Sequence, residues 1–199
     1  MAYPSFFDQI PTITLRDPLS RLLGSAEDGL IEYSYAEVVK LTGHSCPTVA
    51  GAWLMTTRAL KRLYGDEAPT RGGIAVSFRN SAVEGVTGVI ASVAGFITGA
   101  TTDTGFKGLR GQFDRRNLMH FEQPIAGEIR FERLDTGQGV TVSFNASVVP
   151  PSAQMMPQLF AALQADATPE QQAAFAETWQ GRVRTIFQNA DHPGLIQYH

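Results

Sequence analysis

The chain has 199 residues, 43% hydrophobic and 18% charged, with 12 Phe and 2 Trp, which is enough apolar content for a core and too much for a disordered segment. Sixteen Lys and Arg against nineteen Asp and Glu give a formal net charge of −3, the wrong balance for a protein whose main task is gripping nucleic acid phosphates. A single cysteine, Cys46, excludes an intrachain disulfide framework and with it the secreted, disulfide-rich class. The opening residues are aromatic and acidic where a secretory signal would be basic and then apolar. The expected location is therefore the cytoplasm, with neither nucleic acid nor membrane as a partner.

Asp17-Pro18 sets a capping residue before a proline at the first helical position. Leu19, Leu22 and Leu23 follow at helical spacing and Gly24 is placed to close a short helix. Ser34 and Glu37 stand at capping-box spacing, and Tyr35, Val38, Val39 and Leu41 give the next helix a buried face that ends at Gly43. The run Gly43-His44-Ser45-Cys46-Pro47 comes at once, a helix stop followed by a proline helix start. The new helix carries Val49, Trp53, Leu60 and Leu63 on one stripe and should end near Tyr64-Gly65.

Ile74 to Phe78 reads as a buried strand. Ser81 and Glu84 repeat the capping-box spacing and are expected to open a third helix, with Val83, Val86, Ile90, Val93 and Ile97 on its core face. Gly85, Gly88, Ser92, Gly95 and Gly99 also step by three or four along it. Such a stripe admits a neighbouring backbone or a flat cofactor, and tight helix packing is its commoner use. Residues 85–102 are uncharged, but their glycines, threonines and serine, together with an acidic capping residue at the border, make a poor membrane span.

Thr101 to Arg116 is rich in Gly, Thr and basic residues and should be a loop. Strands are expected at 117–122, 128–134 and 140–146, the last two joined by the turn Asp135-Thr136-Gly137-Gln138-Gly139. Pro150-Pro151 ends the sheet. Thr168-Pro169-Glu170-Gln171 opens a C-terminal helix with Phe175, Trp179, Val183 and Ile186 facing inward. This order predicts an α+β fold, a mixed or largely antiparallel sheet packed by helices, in a single domain. Its parts are an N-terminal arm over 1–33, a core over 34–149 and a C-terminal helical extension over 150–199.

The most informative side chains are His44 and Cys46, two apart between a helix stop and a helix start. A cysteine there meets the positive end of the helix macrodipole, which favours the thiolate as ligand or nucleophile. The bland reading makes Cys46 a small buried hydrophobe and His44 a cap on the preceding helix, and spacing alone does not choose between the two. Gly105 to Gly111 matches neither nucleotide fingerprint. Lys107, Arg110, Arg115 and Arg116 offer charge to a small anionic ligand, although a solvated, turn-rich loop is the commoner role.

The run from Tyr35 to Pro47, with the helix after it, resembles the opening of the FmdE family, which takes its name from formylmethanofuran dehydrogenase. That family opens with a helix, a Gly-His-x-Cys-Pro element and a second helix. The resemblance continues more loosely through Ser81-Ala82-Val83-Glu84-Gly85, the apolar helix and the Thr-Gly-rich loop to Arg116-Asn117-Leu118, and spans residues 34–134. It implies a compact α+β domain, often a homodimer, with a metal, typically zinc, held by His44 and Cys46. Family members commonly carry another cysteine just before the acidic residue that resembles Glu84, and here the segment reads Asn80-Ser81-Ala82. The loss favours either a site completed by His120, Glu84, Asp103 or water and open to a small ligand, or another transition metal in place of zinc. His120 shares a strand face with Leu118, while His192 and His199 read as surface residues.

The alternative is a haem-binding or haem-sensing protein with Cys46 or His44 as axial ligand, the macrocycle lying on the small-residue stripe. The sequence shows no catalytic constellation and no elements for a molybdenum or tungsten cofactor. It leaves open whether the protein is an enzyme.

Overall fold

Capping chemistry sets most helix ends. In the computed structural model, which describes residues 3–199, strand β1 (Ile13–Arg16) leads into helix α1 (Pro18–Leu23). Asp17 caps α1 by accepting from the N–H groups of Leu19 and Ser20, and Gly24 closes it in the left-handed conformation. Strand β2 (Leu30–Tyr33) pairs antiparallel with β1, Ile13 opposite Tyr33. A complete capping box between Ser34 and Glu37 opens α2 (Tyr35–Thr42), and Gly43 at φ 75° ends it. Helix α3 (Pro47–Tyr64) starts on its proline with Cys46 as N-cap.

After strand β3 (Ile74–Phe78) the chain departs from expectation. Ser81 and Glu84 make only a turn, in which the Glu84 N–H donates to the Ser81 carbonyl at 3.2 Å. Helix α4 runs Thr87–Thr98. Gly85 at φ 56° breaks the helical path between them, so Val83 is 93% exposed instead of core-facing. Strands β4 (Met119–His120), β5 (Ile129–Arg133) and β6 (Gly139–Phe144) follow. Next comes α5 (Met155–Ala162), whose N-cap Gln154 makes no side-chain capping bond, so no local signal announced it. A capping box of Thr168 and Gln171 opens α6 (Pro169–Gln188), and β7 (Ile196–Tyr198) closes the chain.

The larger sheet has the order β4-β3-β5-β6-β7, with β3 and β4 parallel and the other pairs antiparallel. The fold is therefore α+β with a mixed sheet. Burial alternates along β3 and β5, putting Ile74, Val76, Phe78, Ile129 and Phe131 on one face and Arg130 and Glu132 off it. Helix α3 touches β5, β6 and β7, and also α2, α4 and α6. Its Trp53, Met55 and Leu60 are almost wholly buried, each such side chain contributing about 1.5–3 kcal/mol by removal from water. Gly51 lets α3 approach β6, because a Cβ there would run into the Phe144 ring. The C-terminal helix α6 lies on α3. One cluster of buried apolar residues extends from Phe6 to Ile196, drawing on the arm, the core segment and the extension. Among the described residues no helix is long and apolar enough to cross a membrane.

A buried ion cluster ties the arm to the basic loop. Asp17, 3% exposed, accepts from Arg115 Nη2 at 2.7 Å and from Arg71 Nη1 at 3.1 Å. Arg116 is paired with Asp114 at 2.7 Å. Two of the four cations expected to draw an anion are thus engaged within the chain, leaving Lys107 and Arg110 exposed. Burial pushes the Asp17 carboxyl up, but the Ser20 N–H and the Arg115 and Arg71 guanidiniums outweigh it and hold the group below its ordinary value. The folded carboxyl ionises more readily than the unfolded one. The stabilisation is therefore complete at neutral pH and lost as pH falls through the folded value.

Asp17→Ala leaves Arg115 buried without its counter-charge and should cost about 3–5 kcal/mol in urea unfolding at neutral pH. The gap between wild type and variant should narrow below about pH 4 as the wild-type carboxylate takes up its proton. A gap that stays constant through acid would contradict this account of the cluster.

Candidate functional site

Helix α2 stops at Gly43 and α3 starts at Pro47, so His44, Ser45 and Cys46 make a three-residue corner between two helices. The His44 ring is exposed and its Nδ1 lies 2.9 Å from the Thr42 carbonyl oxygen. A carbonyl only accepts, so in the neutral imidazole this contact puts the proton on Nδ1 and the lone pair on Nε2. Ser45 is buried. Its carbonyl accepts from Trp179 Nε1 at 2.9 Å and from Gln180 Nε2 at 3.1 Å, both on α6. Its hydroxyl lies 3.0 Å from that of Tyr35. Burial pushes the Tyr35 hydroxyl far above its ordinary value, and the Ser45 bond offsets only part of that. The phenol therefore stays protonated. Cys46 is 8% exposed, and its Sγ accepts from the Val49 N–H at 3.4 Å at the head of the 18-residue helix.

The corner thus holds an imidazole and a sulfur two residues apart, the first exposed and the second buried. The His44 arrangement is also the one metal-bound histidines adopt, with the second ring N–H donated to a backbone carbonyl that fixes tautomer and orientation.

The other sequence candidates stand elsewhere. His120 is exposed on the edge strand β4 instead of pointing inward. Glu84 is exposed in the turn before α4, and Asp103 is exposed in the 101–116 loop. Among the described residues no three His, Cys, Asp or Glu side chains gather as a metal group would require. The fold therefore does not bring His120, Glu84 or Asp103 into a cluster with His44 and Cys46. His192 and His199 are exposed, bonded to the Gly194 N–H and near the Ser143 hydroxyl respectively.

The chain itself backs three positions of the small-residue stripe, Gly88, Gly95 and Gly99, whereas Gly85 meets nothing within 4 Å and Ser92 is exposed. A Cβ on Gly95 would stand 3.0 Å from both the Ala100 carbonyl oxygen and Met119 Cε, and one on Gly88 would stand 2.9 Å from the Ala82 carbonyl oxygen. Gly99 lies under Arg115 and Arg71. What sequence reasoning missed is the clamp on Ser45. Trp179 reads as one more apolar residue of an amphipathic helix, and the signal that could have revealed it was its indole N–H, which needs a partner wherever the ring is packed.

A model of the FmdE family, described as molybdenum formylmethanofuran dehydrogenase operon, matches residues 41–193. That span takes in the corner and also the α6 helix that holds it, well beyond the 34–134 span of the sequence resemblance. No curated protein matches the chain. The chain belongs to the FmdE family.

Replacing Trp179 by Phe and Gln180 by Ala together leaves the buried Ser45 carbonyl without donors, at a cost of about 1–3 kcal/mol. Amide exchange at residues 44–46 should then speed up more than exchange in β5. An equal change in both segments would show that α6 does not hold the corner.

Proposed function

We propose that this FmdE-family chain is a metal-binding protein whose ion, zinc, is held by His44 Nε2 and Cys46 Sγ, with its remaining positions open to water or a small anionic ligand. The observation that carries this reading is the His44 Nδ1 contact with the Thr42 carbonyl, which puts the lone pair of the neutral imidazole on Nε2 at a rigid corner. The Val49 N–H donates to the Cys46 sulfur at the first turn of α3, which fixes where Sγ stands. The family description refers to the operon of a molybdenum enzyme, a metal context that does not name the ion. A nitrogen and a sulfur donor support zinc among the ions such a pair suits.

Two donors make an open site and not the four-ligand cage of a structural zinc. When bound, the ion supplies a Lewis-acid centre. The corner supplies its own part: Thr42 orients the imidazole, and Ser45, gripped by α6, keeps the two ligands on one short rigid path. The unit we favour is one domain over the whole chain, working as a homodimer in a reducing, cytoplasmic setting where the free Cys46 persists. Haem is the weaker reading, because Gly88, Gly95 and Gly99 of the stripe proposed for the macrocycle pack against this chain.

Protein purified without added metal should carry about one zinc per chain. Cys46→Ser and His44→Ala should each remove most of it, whereas His120→Ala should not. Unchanged zinc in Cys46→Ser, or a Soret band in the wild type, would overturn the proposal.

A further inference from the structure

A cleft of about 740 Å³ opens between the N-terminal arm, α3 and α6, within the roughly 300–1,000 Å³ range of small-molecule sites. We propose that this cleft binds an apolar monocarboxylate, its hydrocarbon body on the floor and its carboxylate on Arg184 at the mouth.

The floor is apolar. Phe6, Ile10, Trp53 and Leu54 line it from the arm and α3, and Phe187 lines it from α6. Phe6, Ile10, Trp53 and Leu54 are buried in the core cluster, so the cleft reaches into the core and is more than a surface groove. Such a floor rewards a hydrocarbon or aromatic body by about 25 cal/mol per Å² removed from water.

The charges of the lining select the head group. Arg58 is held by Asp191 at 2.6 Å and Lys61 by Asp66 at 2.7 Å. Glu67 lies 3.7 Å from Arg133, which also pairs with Asp135 at 2.7 Å. Arg184 is therefore the one lining charge without an ion-pair partner or side-chain hydrogen bond among the described residues. Gln188 also lines the cleft, four residues on from Arg184 and so one turn along the same side of α6. A guanidinium fork with an amide N–H beside it matches the two oxygens of a carboxylate. One free cation calls for a monoanion, and the depth of the floor calls for an apolar tail. The site is separate from the His44–Cys46 corner and needs no metal.

Calorimetric titration of the full chain with decanoate, decanamide and acetate tests the assignment. Decanoate should bind at least about tenfold more tightly than either control, since one lacks the charge and the other the tail. Arg184→Ala should weaken decanoate about tenfold and leave decanamide unchanged, with Arg184→Lys recovering part of the loss. Arg184 is exposed, so these variants keep the fold. Thr57→Trp, placed in the cleft wall, should block decanoate. Binding should be the same in Cys46→Ser, which separates this result from the metal reading. Equal binding of decanoate and decanamide, wild-type affinity in Arg184→Ala, or no decanoate binding would overturn the proposal.

Discussion

A helix surrounded on nearly all sides governs this structure. Helix α3 has the sheet on one flank and α2, α4 and α6 on others. Small residues such as Ala50, Gly51, Ala52 and Ala59 allow the close approaches, while Trp53, Met55 and Leu60 fill the space between layers. A helix so confined cannot shift its first turn without disturbing the whole core. Cys46, as the N-cap, therefore takes its position from the core and not from a flexible loop, which is the condition for a ligand to be held in a fixed place.

The corner is held from both sides. Gly43 turns α2 away so that α3 can begin at Pro47, and the Ser45 carbonyl receives two donors from α6. The C-terminal helix is thus part of the site's support, in keeping with a family match that runs to residue 193. The Asp17 cluster does for the arm what α6 does for the corner. By joining Arg71 and Arg115 to one carboxylate, it fixes the start of α1 against the 101–116 loop. That arm also forms one wall of the apolar cleft.

Local chemistry was readable from the sequence, and contacts between distant segments were not. The capping boxes at Ser34 and Thr168, the prolines at 18, 47 and 169 and the apolar run Ile74–Phe78 each act within a few residues, and each element appears where they place it. The same spacing at Ser81 and Glu84 misled because Gly85 adopts a positive φ there. Strands β1, β2 and β7 are three or four residues long and exist through their partners. The roles of Arg115 and Trp179 depend on partners 98 and 134 residues away. The His44–Cys46 pair stands out because its signal is local. The other candidates do not, because His120, Glu84 and Asp103 stand on separate elements and form no group among the described residues.

The central claim is that one imidazole and one thiolate of the same corner hold the ion. X-ray absorption at the zinc edge of the purified protein tests it most directly. The account predicts a single sulfur at about 2.3 Å with nitrogen and oxygen ligands at about 2.0–2.2 Å filling the rest of the shell. A shell with no sulfur, or with two or more, would contradict it.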